Sequence, residues 1–406
     1  MTTIPVDAAT LPAFPPRRET PPLDPPKLYS FFRQREPIAR VRLWNGNAAW
    51  IVTRWEDVRT VLASPHASAV TSNPGFPTFS SARAAQLSVR KTFINMDPPE
   101  HSKYRRVLTK EFTIKRLEAL RPAIQQVADQ LLDAMIASGS PADLREGFAM
   151  PMPATIISTM LGVPYEHHDQ LRAWTEQRNE LNGDPEAVRS AANQMLALIS
   201  DILRQKEAEP GDADLLSRMA RDFILPGAIT HDEGVQMASL LYAAGHDTSA
   251  NQIALGMLSL LQDRAQFEAV RDDPAMLKPA IEEMLRFSTI VHFNSVRVAT
   301  ADIAVGDVTI KAGEGIFALL SAANRDPAVF EDPDAFDIFR PRHDHLAFSY
   351  GIHQCLGQPL ARIELEIAFE TILRRLPNLR LAVPADTLKF DEDTMVFHVK
   401  QLPVAW

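Results

Sequence analysis

The chain has 406 residues, 46% of them apolar and 23% charged, with 31 prolines and a single cysteine. That balance excludes a collagen-like, disordered or disulfide-stapled protein. A net charge of −9 argues against nucleic acid or an anionic membrane surface as the main partner. No stretch approaches the ~20 uninterrupted apolar residues of a membrane helix. One cysteine cannot close an internal disulfide, which points to a reducing cytoplasm.

Residues 1–26 hold eight prolines and mixed charges around no apolar core, unlike a signal peptide. They are predicted to form an extended arm lying on or near the body, residues 27–406. Ala39–Leu43 and Ala49–Thr53 flank Asn45-Gly46, the pattern of a hairpin with a tight primed turn. Helical periodicity follows over Ala119–Ser138, Pro153–Leu161 and Ala187–Lys206. Thr230-His231-Asp232-Glu233 is a capping-box pattern opening a proline-free run to about Gln262. A helix of that length spans roughly 50 Å and must cross the molecule's interior. Its middle, Gly245-His246-Asp247-Thr248-Ser249, is polar between apolar turns. A buried carboxylate is costly unless paired, so this interruption is read as functional. A late strand region runs from Ser295 to Phe317, with turns at Gly306-Asp307 and Ala312-Gly313. The fold class is mainly α with a smaller β portion.

The lone Cys355 lies between Gly351 and Gly357, before a helical pattern over Leu356–Arg375. A helix start favours a thiolate, and glycines allow close backbone approach. One thiolate cannot hold tetrahedral zinc without partners, whereas a haem iron needs one such protein ligand.

Phe348-Ser-Tyr-Gly351-Ile-His353-Gln-Cys355-Leu-Gly357 resembles the haem-binding signature of the cytochrome P450 family, with Ser349 where glycine is commoner. Further segments follow in the family's order over nearly the whole chain. The resemblance implies a single-domain P450 fold with a long central helix over haem b, and Cys355 as its axial iron ligand. It implies that His101, Arg105, Arg297 and His353 hold the haem propionates, and that Ala244, Gly245, Phe348 and Gly357 border the haem. Gly245 would make room above it. Thr248 would bond a carbonyl one turn back, loosen the helix and open a groove for dioxygen. Asp247 and Thr248 would be the acid–alcohol pair relaying protons. Glu283, Arg286 and Arg340 resemble the family's buried Glu-Arg-Arg network, which braces the loop leading to the cysteine.

The activity so implied is a haem-thiolate monooxygenase placing one oxygen atom of O2 into a small, mostly apolar organic substrate. Ala243, His292, Phe293, Asn294 and Val296 would line its pocket. A single cysteine cannot carry an iron–sulfur relay, so electrons are expected from an external ferredoxin and reductase. Lys103, Arg106, Lys110 and Arg362 could form a basic patch steering that donor. Pro74-Gly-Phe-Pro77, Phe93–His101 and Ile253-Ala-Leu-Gly256 are also similar to the family's nitric oxide reductase branch, which draws electrons directly from a nicotinamide. Asp247 beside Thr248 favours the monooxygenase. A non-catalytic haem sensor or docking protein is the alternative from another class.

Overall fold

The computed structural model describes residues 10–18, 23–88, 92–291, 295–341 and 343–406. Helices dominate, and the helix His231–Gln262 runs through their middle. It is opened by the expected capping box. Thr230 Oγ1 accepts from the Glu233 N–H at 3.2 Å, and the Glu233 carboxylate accepts from the Thr230 N–H at 2.8 Å. Buried side chains occur all round it, as a helix enclosed on every side requires. Pro151–Leu161, Pro185–Ala208, Leu277–Ser288 and Gln358–Arg375 pack against it. The observed helices Arg121–Ser138, Pro151–Leu161 and Pro185–Ala208 lie within two residues of the expected spans.

A five-stranded sheet flanks this body, in the spatial order Ile38–Arg42, Ala48–Val52, Gly315–Ala318, Val296–Ala299, Ala67–Ser68. Trp50 pairs with Ile316 in parallel, so the early hairpin and the late strands form one sheet. The hairpin's turn differs from expectation. Arg42 pairs with Ala48, and the Leu43 N–H still bonds the Asn47 carbonyl at 2.8 Å. Only three residues remain for the loop, closed by Gly46 N–H to Leu43 O at 3.0 Å. Gly46 has φ +82° while Asn45 keeps a negative φ, so this is a type I turn ended by a glycine bulge rather than a two-residue primed turn. Gly306, at φ +51°, turns the small hairpin Ile303–Val305 to Val308–Ile310 as expected.

Residues 12–14 run along Arg42. The Phe14 N–H bonds Arg42 O at 2.9 Å, and the Phe14 ring is buried 4.6 Å from Phe317. A C-terminal hairpin, Phe390–Asp391 against His398–Val399, packs on the central helix. No helix among the described residues is long and apolar enough to cross a membrane.

Candidate active site

The Cys355 loop is held from behind. The Cys355 N–H bonds Phe348 O at 2.9 Å. Gly351 has φ +74°, and a side chain there would meet the Leu62 carbonyl oxygen at 2.4 Å, so this glycine is fixed by the helix Trp55–Ala63 pressed against it. Ser349 adopts φ +62°, the left-handed region where glycine is easiest. The helix begins at Gln358, not Leu356, with Gly357 as its cap. Cys355 thus precedes the helix, but the Gly357 and Gln358 N–H groups still point at its sulfur. Burial pushes the thiol up, and those two N–H groups with the charges of Arg105 and Arg362 pull the other way.

Below this loop Glu283, Arg286 and Arg340 meet, each at least 95% buried. Arg286 grips the Glu283 carboxylate with two bonds of 2.7 Å, and Arg340 Nε reaches it at 3.2 Å. The remaining guanidinium donors go to the carbonyls of Asn324, Glu331, Asp332, Pro333 and Ala335. The expected triad therefore exists, and it ties down the chain from 331 to 340.

Cys355 opens onto an internal cavity of about 290 Å³. The central helix contributes Leu240, Leu241, Ala244, Gly245, Thr248, Ser249 and Gln252, one stripe advancing by four residues. Ala243, expected in the wall, lies off that stripe and is buried elsewhere. Val296 instead lines an adjoining pocket of about 160 Å³ with Arg297 and His353. His292, Phe293 and Asn294 lie outside the described residues. A side chain at Gly245 would press on Ile157 at 3.1 Å. Close packing on the helix Pro151–Leu161 therefore bears on this glycine, which also lines the cavity. Thr248 Oγ1 donates to Ala244 O at 2.5 Å as expected, within a helix assigned continuously from His231 to Gln262.

The Asp247 carboxyl is not among the groups lining the cavity. It accepts from Asn179 Nδ2 at 3.0 Å and Asn251 Nδ2 at 2.8 Å. Burial pushes it up, opposed by the charge of His398, the two amides and Arg145.

The four expected propionate residues converge. The rings of His101 and His353 lie 4.4 Å apart, Arg105 and His353 line the main cavity, and Arg297 and His353 line the side pocket. His101 Nε2 and both ring nitrogens of His353 are buried without a protein hydrogen-bond partner among the described residues. Burial, then the charges of Arg297, His101 and Arg105, hold His353 down to about 3. Such a cluster of basic groups, short of acceptors and crowded by like charge, suits anionic oxygens.

A sequence profile of the family described as Cytochrome P450 matches residues 25–403. The chain belongs to the cytochrome P450 family. It is 43% identical over 404 residues to cytochrome P450-SU2 of Streptomyces griseolus, covering 100% of this chain and 98% of that one. Vitamin D3 dihydroxylase of the same organism is 40% identical over 396 residues, covering 97% of both. The crystal structure of mycinamicin VIII C21 methyl hydroxylase from Micromonospora griseorubida superposes with a TM-score of 0.92 at 36% identity, covering 98% of this chain and 100% of that one. The chain is accordingly a haem-thiolate P450 monooxygenase.

The residues present fit a P450 haem. One thiol faces the cavity, basic groups short of acceptors lie at its edge, and a Cβ at Gly357 would find no non-neighbouring atom nearer than the Cys355 sulfur and the Phe112 ring, both at 4.0 Å. Of the expected basic patch, Arg362 is spent on Glu282 at 2.6 Å and on the Phe348 ring at 4.6 Å. Lys103 faces Glu233 at 3.7 Å, which leaves Arg106 and Lys110 the more available cations.

Sequence reasoning missed Glu364, Asn179 and Gln252. Glu364 lines the cavity, and burial pushes it up to about 8 against a hydrogen bond from Ser249. Glu364 stands between Ile363 and Leu365, in a helix whose Glu366 and Arg362 are also charged, so local pattern did not single it out. Asn179 had no local signal, because its partner lies 68 residues away.

Proposed function

We propose that Cys355 is the axial ligand of haem b, that His101, Arg105, Arg297 and His353 receive its propionates, and that Ala244, Gly245, Phe348 and Gly357 border it. One observation carries this reading: the Cys355 thiol and the Thr248 hydroxyl open onto the same cavity, with basic groups at one edge. When bound, haem would supply activation of O2 and insertion of one of its two atoms into a C–H bond, the other leaving as water.

The protein's part is binding, orientation and proton movement. Leu240, Leu241, Leu285, Ile290 and Val291 give the cavity apolar walls that suit a small, mostly apolar organic substrate. The names of the relatives, which include hydroxylases of vitamin D3 and of a mycinamicin, support the same class. Thr248 holds its hydroxyl proton on Ala244 O and presents its oxygen to the cavity. Asp247, one residue along, carries a proton readily because burial raises its affinity, and Asn179 and Asn251 set its orientation. A swing of Asp247 from Asn179 towards Thr248 delivers that proton.

Electrons come from a separate ferredoxin in the cytoplasm. Arg106 and Lys110 offer its acidic surface a landing place on a protein of net charge −9. The test supplies isotope-labelled O2, a ferredoxin and its reductase, with vitamin D3 and mycinamicin VIII as probe substrates. One labelled atom in the product and one in water is expected. Direct nicotinamide oxidation driven by nitric oxide, with no labelled product, would contradict it.

A further inference from the structure

The proline-rich arm has no part in the chemistry above, yet it ends in a buried contact. Arg18 is 7% exposed, and its guanidinium sits 3.7 Å over the ring of Phe397. Its backbone N–H donates to the Glu392 carboxylate at 2.9 Å, and its guanidinium donates to Leu23 O and Asp24 O at 3.3 and 2.9 Å. Phe397 is 1% exposed and stacks on Phe390, with centroids 5.5 Å apart and planes 5° from parallel. The arm thus holds both strands of the C-terminal hairpin, Glu392 beside one and Phe397 beside the other. Upstream, Phe14 anchors the arm to the sheet.

The same hairpin holds the end of the helix His168–Asn179. The Leu181 N–H bonds Asp393 O at 2.7 Å, the Met395 N–H bonds Asn179 O at 3.0 Å, and Glu180 bridges Thr394. Asn182 Nδ2 adds a bond of 2.7 Å to Asp393. Asn179 is therefore fixed by its backbone to the hairpin, and with its side chain it holds Asp247 at 3.0 Å. His398, on the second strand, faces Asp247 electrostatically.

We propose that Arg18 is a positioning residue: it clasps the C-terminal hairpin onto Asn179 and so sets the orientation of Asp247. The proposal rests on the reading of Asp247 as the proton carrier. Three polar links run in series from the arm to the carboxyl. A cation over a buried ring is a strong hold for its size, because neither group has water to exchange it with. Release of the arm loosens the hairpin, and the Asn179 amide then loses the backbone bond that aims it.

The experiment uses the full-length holoprotein, and its exchange and unfolding measurements need no substrate. Amide hydrogen exchange is measured at Leu181, Met395 and Phe397 in Arg18→Ala, Arg18→Lys and Phe397→Leu. The last keeps an apolar core residue and removes the ring, so it stands in if Arg18→Ala fails to fold. Exchange about tenfold faster in Arg18→Ala and Phe397→Leu, largely restored in Arg18→Lys, is expected. Wild-type rates in the first two would overturn the clasp. Unfolding constants of Arg18→Ala, Asp247→Asn and the double variant then test the reach to Asp247. Contacts in one network fail to multiply, by about tenfold here, whereas independent sites multiply within about twofold. Simple multiplication overturns the proposal even if exchange quickens. Full turnover in Asp247→Asn would instead sink the proton-carrier reading, and the exchange data would still report on the clasp.

Discussion

Behind the cysteine, buried charges are matched. Glu283 is shared by Arg286 and Arg340, and Glu282 by His345 and Arg362. Although burial works the other way, bonds from His345 and Arg362 hold the Glu282 carboxyl down to about 2. Across the cavity, buried polar groups are held mainly by neutral partners. Asp247 rests on two amides, Glu364 reaches over from the helix after the cysteine to the Ser249 hydroxyl of the central helix, and burial takes His246 down to about 3. Matched ions keep their charge and geometry over a wide pH range. A buried carboxyl held by neutral donors keeps its proton to higher pH than an exposed one. The cysteine side is built to stay fixed, and the helix side to move protons.

The largest expected effect breaks the fixed side at its centre. Cys355→His should lower monooxygenation by about a thousandfold or more, since an imidazole does not push electron density as a thiolate does. It is measured as product formed per haem. Next, Glu283→Ala leaves two buried guanidiniums unmatched and should cost about 3–5 kcal/mol of folding free energy. Denaturant melts report it, and loss of haem should accompany it as the 331–340 chain loosens.

On the proton-moving side the effects are smaller. Thr248→Ala should cut product per electron pair by about tenfold, short of the full general-acid contribution because water can enter the space. The iron spectrum should be unchanged, which separates it from Glu283→Ala. Glu364 gives the sharpest contrast in pH. Its folded value of about 8 exceeds the ordinary 4.5, so the folded form keeps a proton that the unfolded chain gives up. Its contribution is whole below about pH 4.5 and is lost as pH rises towards 8, at up to about 1.4 kcal/mol per pH unit. Glu364→Gln should flatten that decline in melts taken between pH 5 and 8. An unchanged slope would show that Glu364 titrates normally.

The same contrast explains what the sequence made legible. Ten contiguous residues around Cys355 carry the fixed side, and the spacing of Glu283 and Arg286 places two of the triad on one helical turn. The central helix was readable to its capping box. The proton-moving side is assembled from distant pieces. Asn179, Asp247, Glu364 and His398 belong to four separate segments, and nothing in their local sequence announces their meeting. Even where local pattern named a residue, it did not give its direction. Gly245 packs on Ile157, Asp247 turns to Asn179, and Arg362 is consumed by Glu282. Such assignments depend on which neighbour arrives, which is a tertiary fact.

The most direct measurement is the absorption spectrum of the purified wild-type protein, reduced and bound to carbon monoxide. A cysteine thiolate on the iron gives the strongly red-shifted Soret band for which the family is named, and Cys355→Ala should lose it. A wild-type spectrum with the unshifted band of a nitrogen-ligated haem, or a shifted band surviving in Cys355→Ala, would contradict the account at its centre.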